Sequence, residues 1–349
     1  MPRLPSISHV ASSRRSLARA GTAQRGALDW FLLGMIASVL VASLLPDLAR
    51  TGGWLHLDQV TNLGIFALFF LHGMGLSTES LKAGAAKWRL HLLVQGCTYL
   101  AFPLWCVALR ALADWTVGPR LSPELVAGFV YLAALPSTVS SSVAMTALAR
   151  GNIAAAVLNA SLSTLLGVFM TPLLVSLLSG TSAHPIDLGH TMLNIAQLLL
   201  LPFAAGQVLR RWWGAWFAKV KPYTSIFDRA VILLLVWSSF SDSVADGLWT
   251  RHGAELLAIT LAGAALFLFP MLWFTRRVAR ALGFEVADEI VAVFCGSKKT
   301  LASGVPMAKL LFGGSASLGV IVLPIMFYHQ LQLFVCSVLA RRYANRTGS

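Results

Sequence analysis

The chain has 349 residues, 57% of them hydrophobic and 12% charged, with a net charge of +13. A soluble domain carries about 25% charged residues, and here the apolar residues run in long blocks, so lipid is the expected solvent. The basic residues lie mostly between the blocks, where they set orientation, which speaks against nucleic-acid binding. The four cysteines (Cys97, Cys106, Cys295 and Cys336) form no CxxC pair, so neither a disulfide framework nor a zinc site is indicated.

Residues 1–27 carry five arginines, five serines and no acid. That composition resembles an organelle transit peptide, and the reading adopted is a disordered cytoplasmic tail of a bacterial protein. A spanning helix needs about 20 mainly apolar residues. On that ruler the chain predicts ten spans: 28–45, 60–76, 90–112, 124–149, 153–178, 189–209, 226–245, 254–275, 286–311 and 317–340. Residues 28–341 thus form one transmembrane domain, with a short cytoplasmic tail at 342–349.

Charge tests this map. With the N-terminus inside, one side of the membrane collects five arginines of the tail. It also collects Lys82, Lys87 and Arg89; Arg150; Arg210, Arg211, Lys219, Lys221 and Arg229; Arg276, Arg277 and Arg280; and Arg341, Arg342 and Arg346. Only Arg50, Arg110, Arg120 and Arg251 fall on the other side. This bias places both termini in the cytoplasm, across a bacterial plasma (inner) membrane. Spans 1 and 6, and spans 4 and 9, are offset by about 160 residues. The spacing predicts two five-helix repeats, 28–178 and 189–340, the second inverted, as in secondary transporters.

The fourth span contains Leu135-Pro136-Ser137-Thr138-Val139-Ser140-Ser141-Ser142. Proline removes a backbone hydrogen bond, and carbonyls freed inside a membrane must meet protein, water or an ion. The hydroxyls suit either a patch over a simple kink or a cation site. The ninth span contains Phe294-Cys295-Gly296-Ser297-Lys298-Lys299-Thr300, followed by Gly304 and Pro306. A lysine at mid-membrane costs at least about 2.5 kcal/mol, so at least one of the pair is expected to face the protein interior or a water-filled cavity. The plainer alternative starts the helix near 300 and leaves both lysines in a cytoplasmic loop. Asn159 and Ser163 share a face of the fifth span and could look at the first break. His72, Gln197 and the set Tyr328, His329, Gln330 and Gln332 read mainly as interhelical hydrogen-bonding groups.

These segments, together with Phe70-Leu71-His72-Gly73-Met74-Gly75-Leu76-Ser77 and Ala149-Arg150-Gly151-Asn152, resemble the bile acid:sodium symporter superfamily, and within it the SBF-like branch related to the seventh member of solute carrier family 10. The resemblance runs from about residue 28 to the end. It implies an all-α membrane protein of ten helices in an inverted repeat, with helices 4 and 9 discontinuous and crossing. It also implies carriage of organic anions by alternating access, commonly coupled to sodium. Ser142 falls at a sodium-ligand position, and Asn159 is the other residue assigned to that metal. Two further hydroxyl positions read Ala156 and Ala160. Where the better-studied branch has a sodium-binding glutamate and a glutamine, this chain has Phe294 and Lys298.

The leading expectation is a symporter-like secondary transporter, not an enzyme, that moves a small organic anion. Ser137, Thr138, Ser140, Ser141, Ser142, Asn159, Ser163, Ser297, Lys298, Lys299, Thr300 and His72 are the candidate binding residues. Lys298 would stand in for a sodium ion, attract the anion, or couple a proton. A non-transporting regulator of ion homeostasis is the alternative class. A hydrolase pairing Ser140 or Ser297 with a lysine is a third, which no nucleophile-elbow motif supports. The partners expected are the solute and the bilayer, with sodium the one candidate ion. No cofactor motif is evident, and nothing in the sequence specifies an oligomer.

Overall fold

The computed structural model describes residues 33–75, 87–116, 121–179, 193, 196–245, 248–312 and 317–346. The basic tail 1–27 and most of the expected sixth-span entrance at 189–195 lie outside them. Every regular element among the described residues is helical. In chain order these are α1 (Leu33–Leu44), α2 (Pro46–Ala49), α3 (Leu57–Gly75) and α4 (Trp88–Gly96). A π-helical turn (Cys97–Ala101) leads into α5 (Phe102–Thr116). Then come α6 (Pro123–Ala134), α7 (Ser140–Leu148), α8 (Ile153–Ser179), a second π-helical turn (Ala196–Leu200), α9 (Leu201–Ala245) and α10 (Leu248–Ala281). The chain ends with α11 (Val286–Gly296), α12 (Gly304–Phe312) and α13 (Leu318–Ala344).

Five stretches are long and apolar enough to cross a bilayer: Trp88–Trp115, Ile153–Ser179, Leu201–Asp242, Glu255–Ala281 and Leu318–Ala344. Leu33–Leu44 and Pro123–Ala134 are shorter apolar helices. The chain is therefore an all-α membrane protein.

One expectation needs correcting. Residues 210–225, placed in a loop between the spans 189–209 and 226–245, are helical, so α9 runs from residue 201, within the first span, through the whole of the second. A straight helix would separate Phe203 from Val231 by about 42 Å. Yet Gly73 lies against Phe203 and Gly64 against Val231, and those two glycines are only about 14 Å apart along α3. The helix must fold back on itself around its basic middle, where Pro222 lies. The two limbs then clasp α3, its main partner. Here the backbones nearly touch: a Cβ on Gly73 would meet the main chain of Phe203, and one on Gly206 would meet the Phe70 carbonyl. Only glycine permits that approach.

The other helices surround α11 and α13. The former packs on α4, α7, α8 and α10, and the latter on α6, α7, α9 and α10. At its start α11 presents two buried carboxylates. Glu289 accepts from Arg276 and Arg280 of α10 and from Tyr343 of α13. Asp288 accepts from Lys87 and from the Asn152 amide. The hydrogen bond to Asp288 raises the Lys87 ammonium above the usual lysine value. These pairs fix the depth at which α11 enters the fold.

Candidate functional site

The helix α6 stops at Ala134 because Pro136 has no N–H to continue it. The chain stays non-helical through Val139 and resumes at Ser140. The five carbonyls from Leu132 to Pro136 each have a partner. Leu132 accepts from the Leu135 amide, Ala134 from the Thr171 hydroxyl at 2.9 Å, and Pro136 from the Thr300 amide at 3.0 Å. Ala133 and Leu135 accept from the Lys299 ammonium. The Ser137 amide, freed by the same break, donates to Ser163 Oγ at 2.9 Å.

The second interruption, 297–303, mirrors this. Ser142 Oγ donates to the Phe294 carbonyl at 2.9 Å, and Ser137 Oγ donates to the Cys295 carbonyl at 2.6 Å. Tyr328 donates to the Ser297 carbonyl and Tyr131 to that of Gly304. The Gln332 amide brackets Lys299, accepting from its N–H at 2.9 Å and donating to its carbonyl at 2.8 Å. The two broken spans are thus joined directly, each supplying donors for the carbonyls the other has lost. Two of the four serines of the first run, Ser137 and Ser142, donate in this exchange. The Ser297 hydroxyl donates to the Val293 carbonyl one turn back at 2.6 Å.

Both lysines lie in the non-helical stretch 297–303, and both are fully buried in the protein interior rather than in a loop open to the cytoplasm. Their environments differ. Lys299 Nζ lies 2.9 Å from the Thr98 carbonyl, 2.8 Å from that of Ala133 and 2.6 Å from that of Leu135. Among the described residues, Lys298 Nζ donates to Ser141 alone, with the carbonyl at 3.0 Å and the hydroxyl at 3.4 Å, and the Phe294 ring is 5.7 Å away. The lysine seated in a ring of oxygens is therefore Lys299, whereas the sequence pointed to Lys298.

Of the residues assigned to sodium, Ser142 donates its proton to Phe294. Asn159 uses its Nδ2 on the Ala155 carbonyl. Its Oδ1 is buried with no donor among the described residues. Gln95, which donates to the Asn159 carbonyl at 3.1 Å, has a buried Oε1 in the same condition. Two bare amide oxygens suit a hard cation. Against it stands the hydrocarbon of Phe294 at the position expected to carry the acid.

A cavity of about 420 Å³ opens beside the first break. Val139, Ser140 and Val143 form one wall, Ser161 and Thr164 of α8 another, and His72 of α3 with Phe203, Arg210, Phe217 and Lys221 of α9 the rest. The start of α7 has no side-chain cap, so its first amides lack intrahelical acceptors and carry the positive end of the helix dipole. His72 Nε2 meets Asp228 Oδ2 at 3.2 Å. Arg210 reaches the Met74 carbonyl at 2.9 Å. Ser140 and His72 are thus brought to one cavity, whereas Ser142, Ser163, Ser297, Lys299 and Thr300 lie in the junction behind it. The Thr138 and Ser141 hydroxyls lie 3.2 Å apart. Sequence reasoning passed over Gln95, Arg210 and Lys221. Gln95 was legible as an amide in an apolar block, whereas the two basic residues had been assigned to a loop.

Residues 29–345 match the model of the SBF-like CPA transporter family. An uncharacterized protein of Pseudomonas aeruginosa is 50% identical over 319 residues, 91% of this chain and 93% of that protein. YfeH of Escherichia coli K12, whose name describes a proposed symporter, is 43% identical over 323 residues, 92% of this chain and 94% of its own. The sodium/bile acid cotransporter 7-B of Xenopus laevis is 30% identical over 327 residues, 91% and 92% of the two chains. The matched family and the names of the last two relatives are those of transporters and not of enzymes, and the match spans both interrupted helices. This chain is a membrane transporter of the SBF-like CPA transporter family.

Proposed function

We propose that the chain is a secondary transporter that moves a small organic anion across the bacterial inner membrane by alternating access. In this reading it has ten spans in two inverted repeats, with the helix pairs α6–α7 and α11–α12 as the crossing discontinuous helices and both termini in the cytoplasm. The anion sits in the cavity at the start of α7. Its charge meets the free amides of Ser140 and Ser141, with Arg210 and Lys221 on the facing wall. Lys298 adds a second layer of positive potential behind Ser141. The observation that carries this reading is the convergence of an uncapped half-helix start and two basic side chains on one cavity. Movement of α3 and α9 against the junction would expose the cavity to either side in turn. In this reading the positive charge of the buried lysines stands in for a bound sodium ion.

The test is binding in detergent by isothermal titration of a panel of small carboxylates and sulfonates, wild type against Arg210→Ala. Saturable binding of at least one anion, weakened in the variant, supports the reading. Binding that the variant leaves untouched removes the cavity from it.

A second reading is favoured by the bare oxygens of Gln95 and Asn159. It keeps one sodium ion beside them and Ser142, with symport as the outcome. Sodium-dependent stabilisation of the folded protein separates the two.

A further inference from the structure

The surroundings of Lys299 are those of a bound ion. Its three acceptors are main-chain carbonyls, and each is free for a local reason. Ala133 and Leu135 lie at the broken end of α6, where the helix dipole is negative. Thr98 lies in the π-helical turn, in which the Phe102 amide bonds back to Cys97. In the same register Thr98 would bond to residue 103, which is a proline and has no N–H. The face of the Phe102 ring closes the site, with Nζ 4.1 Å from its centroid. Among the described residues no carboxylate pairs with this lysine. A neutral amine has two N–H groups, and an ammonium has three. Three carbonyls at 2.6 to 2.9 Å therefore call for the charged form.

We propose that this is a monovalent-cation site formed by the carbonyls of α6 and the π-helical turn, and that the chain fills it with its own ammonium group. A tethered cation does not dissociate. The two broken spans are therefore locked together without an ion from solution, and at this point the cycle is indifferent to sodium and potassium. That last consequence rests on the transport reading above; the site itself does not.

The test empties the site and offers it a replacement. Thermal unfolding in detergent is followed for wild type, Lys299→Ala and Lys299→Met, in methylammonium, sodium, potassium or choline chloride at equal ionic strength. Both variants are expected to unfold at lower temperature than wild type. Methylammonium should restore at least half of the loss in Lys299→Ala, saturably, and choline, too large to enter, none of it. Lys299→Met, which fills the space without charge, should not respond. A methionine variant as stable as wild type, or an alanine variant that no small cation restores, overturns the proposal while leaving the anion reading to its own test on Arg210. Should the alanine variant not accumulate, ζ-¹⁵N-lysine spectra of the wild type decide. A slowly exchanging NH₃⁺ signal is expected, and the absence of any protected ammonium overturns the site.

Discussion

The amide of Thr300 donates to the carbonyl of Pro136 at 3.0 Å, across 164 residues of chain. Each group is available only because its own helix is broken at that point. The bond therefore exists only where the two breaks meet, and it sets their depth relative to one another. Around it the side chains of Ser137, Ser142, Tyr131, Tyr328, Gln332 and Lys299 complete the exchange.

Ser137 supplies the hydroxyl that satisfies the Cys295 carbonyl. Its replacement by alanine leaves that buried acceptor bare, at a cost of about 1–3 kcal/mol. A lowered unfolding midpoint in detergent is expected. Thr138→Ala, which removes only a contact with another hydroxyl, should lower it less. Equal midpoints for the two variants would contradict the hydrogen-bond accounting.

The close passage of α3 and α9 predicts intolerance at Gly73 and Gly206. Alanine at either puts a Cβ into the facing backbone, and main chain cannot give way as a side-chain tip does. Loss of stability of about 1–3 kcal/mol is expected, against little change for Gly214→Ala, which meets open space. Thermal unfolding of the three variants checks this.

Arg210→Ala should weaken binding of the transported anion by about 10- to 100-fold, the worth of a hydrogen bond to a charged group. Lys221→Ala, on an exposed side chain, should weaken it less and in a salt-dependent way. Titration at two ionic strengths separates these effects.

Glu289 is buried and accepts from Arg276, Arg280 and Tyr343. Glu289→Gln removes the charge that two guanidinium groups face, and a loss of about 3 kcal/mol is expected. The more exposed Lys87 makes a single pair with Asp288, so Lys87→Met should cost about 1 kcal/mol or less.

The interrupted helices were legible because their signals are chemical and local. A proline among five hydroxyls, and a glycine beside two lysines, cannot lie in an ordinary span. The division of labour between the lysines was not legible. Residues 298 and 299 differ by one position, and only the path of the chain after Gly296 decides which ammonium turns toward α6 and which toward Ser141. Gln332 and Tyr328 read as ordinary interhelical donors, since the carbonyls they serve lie on a different span. The helical middle of α9 was missed for a further reason. Charge counting identifies a segment outside the membrane but is silent on whether that segment is coiled.

The claim that lysine charge takes the place of sodium at this junction is tested most directly by thermal unfolding of the wild-type protein in detergent. Sodium chloride is titrated against choline chloride at fixed ionic strength and pH. The account predicts one midpoint throughout. A saturable, sodium-specific rise, worth about 2.7 kcal/mol at a hundred times the dissociation constant, would contradict it and return the ion to Gln95, Asn159 and Ser142.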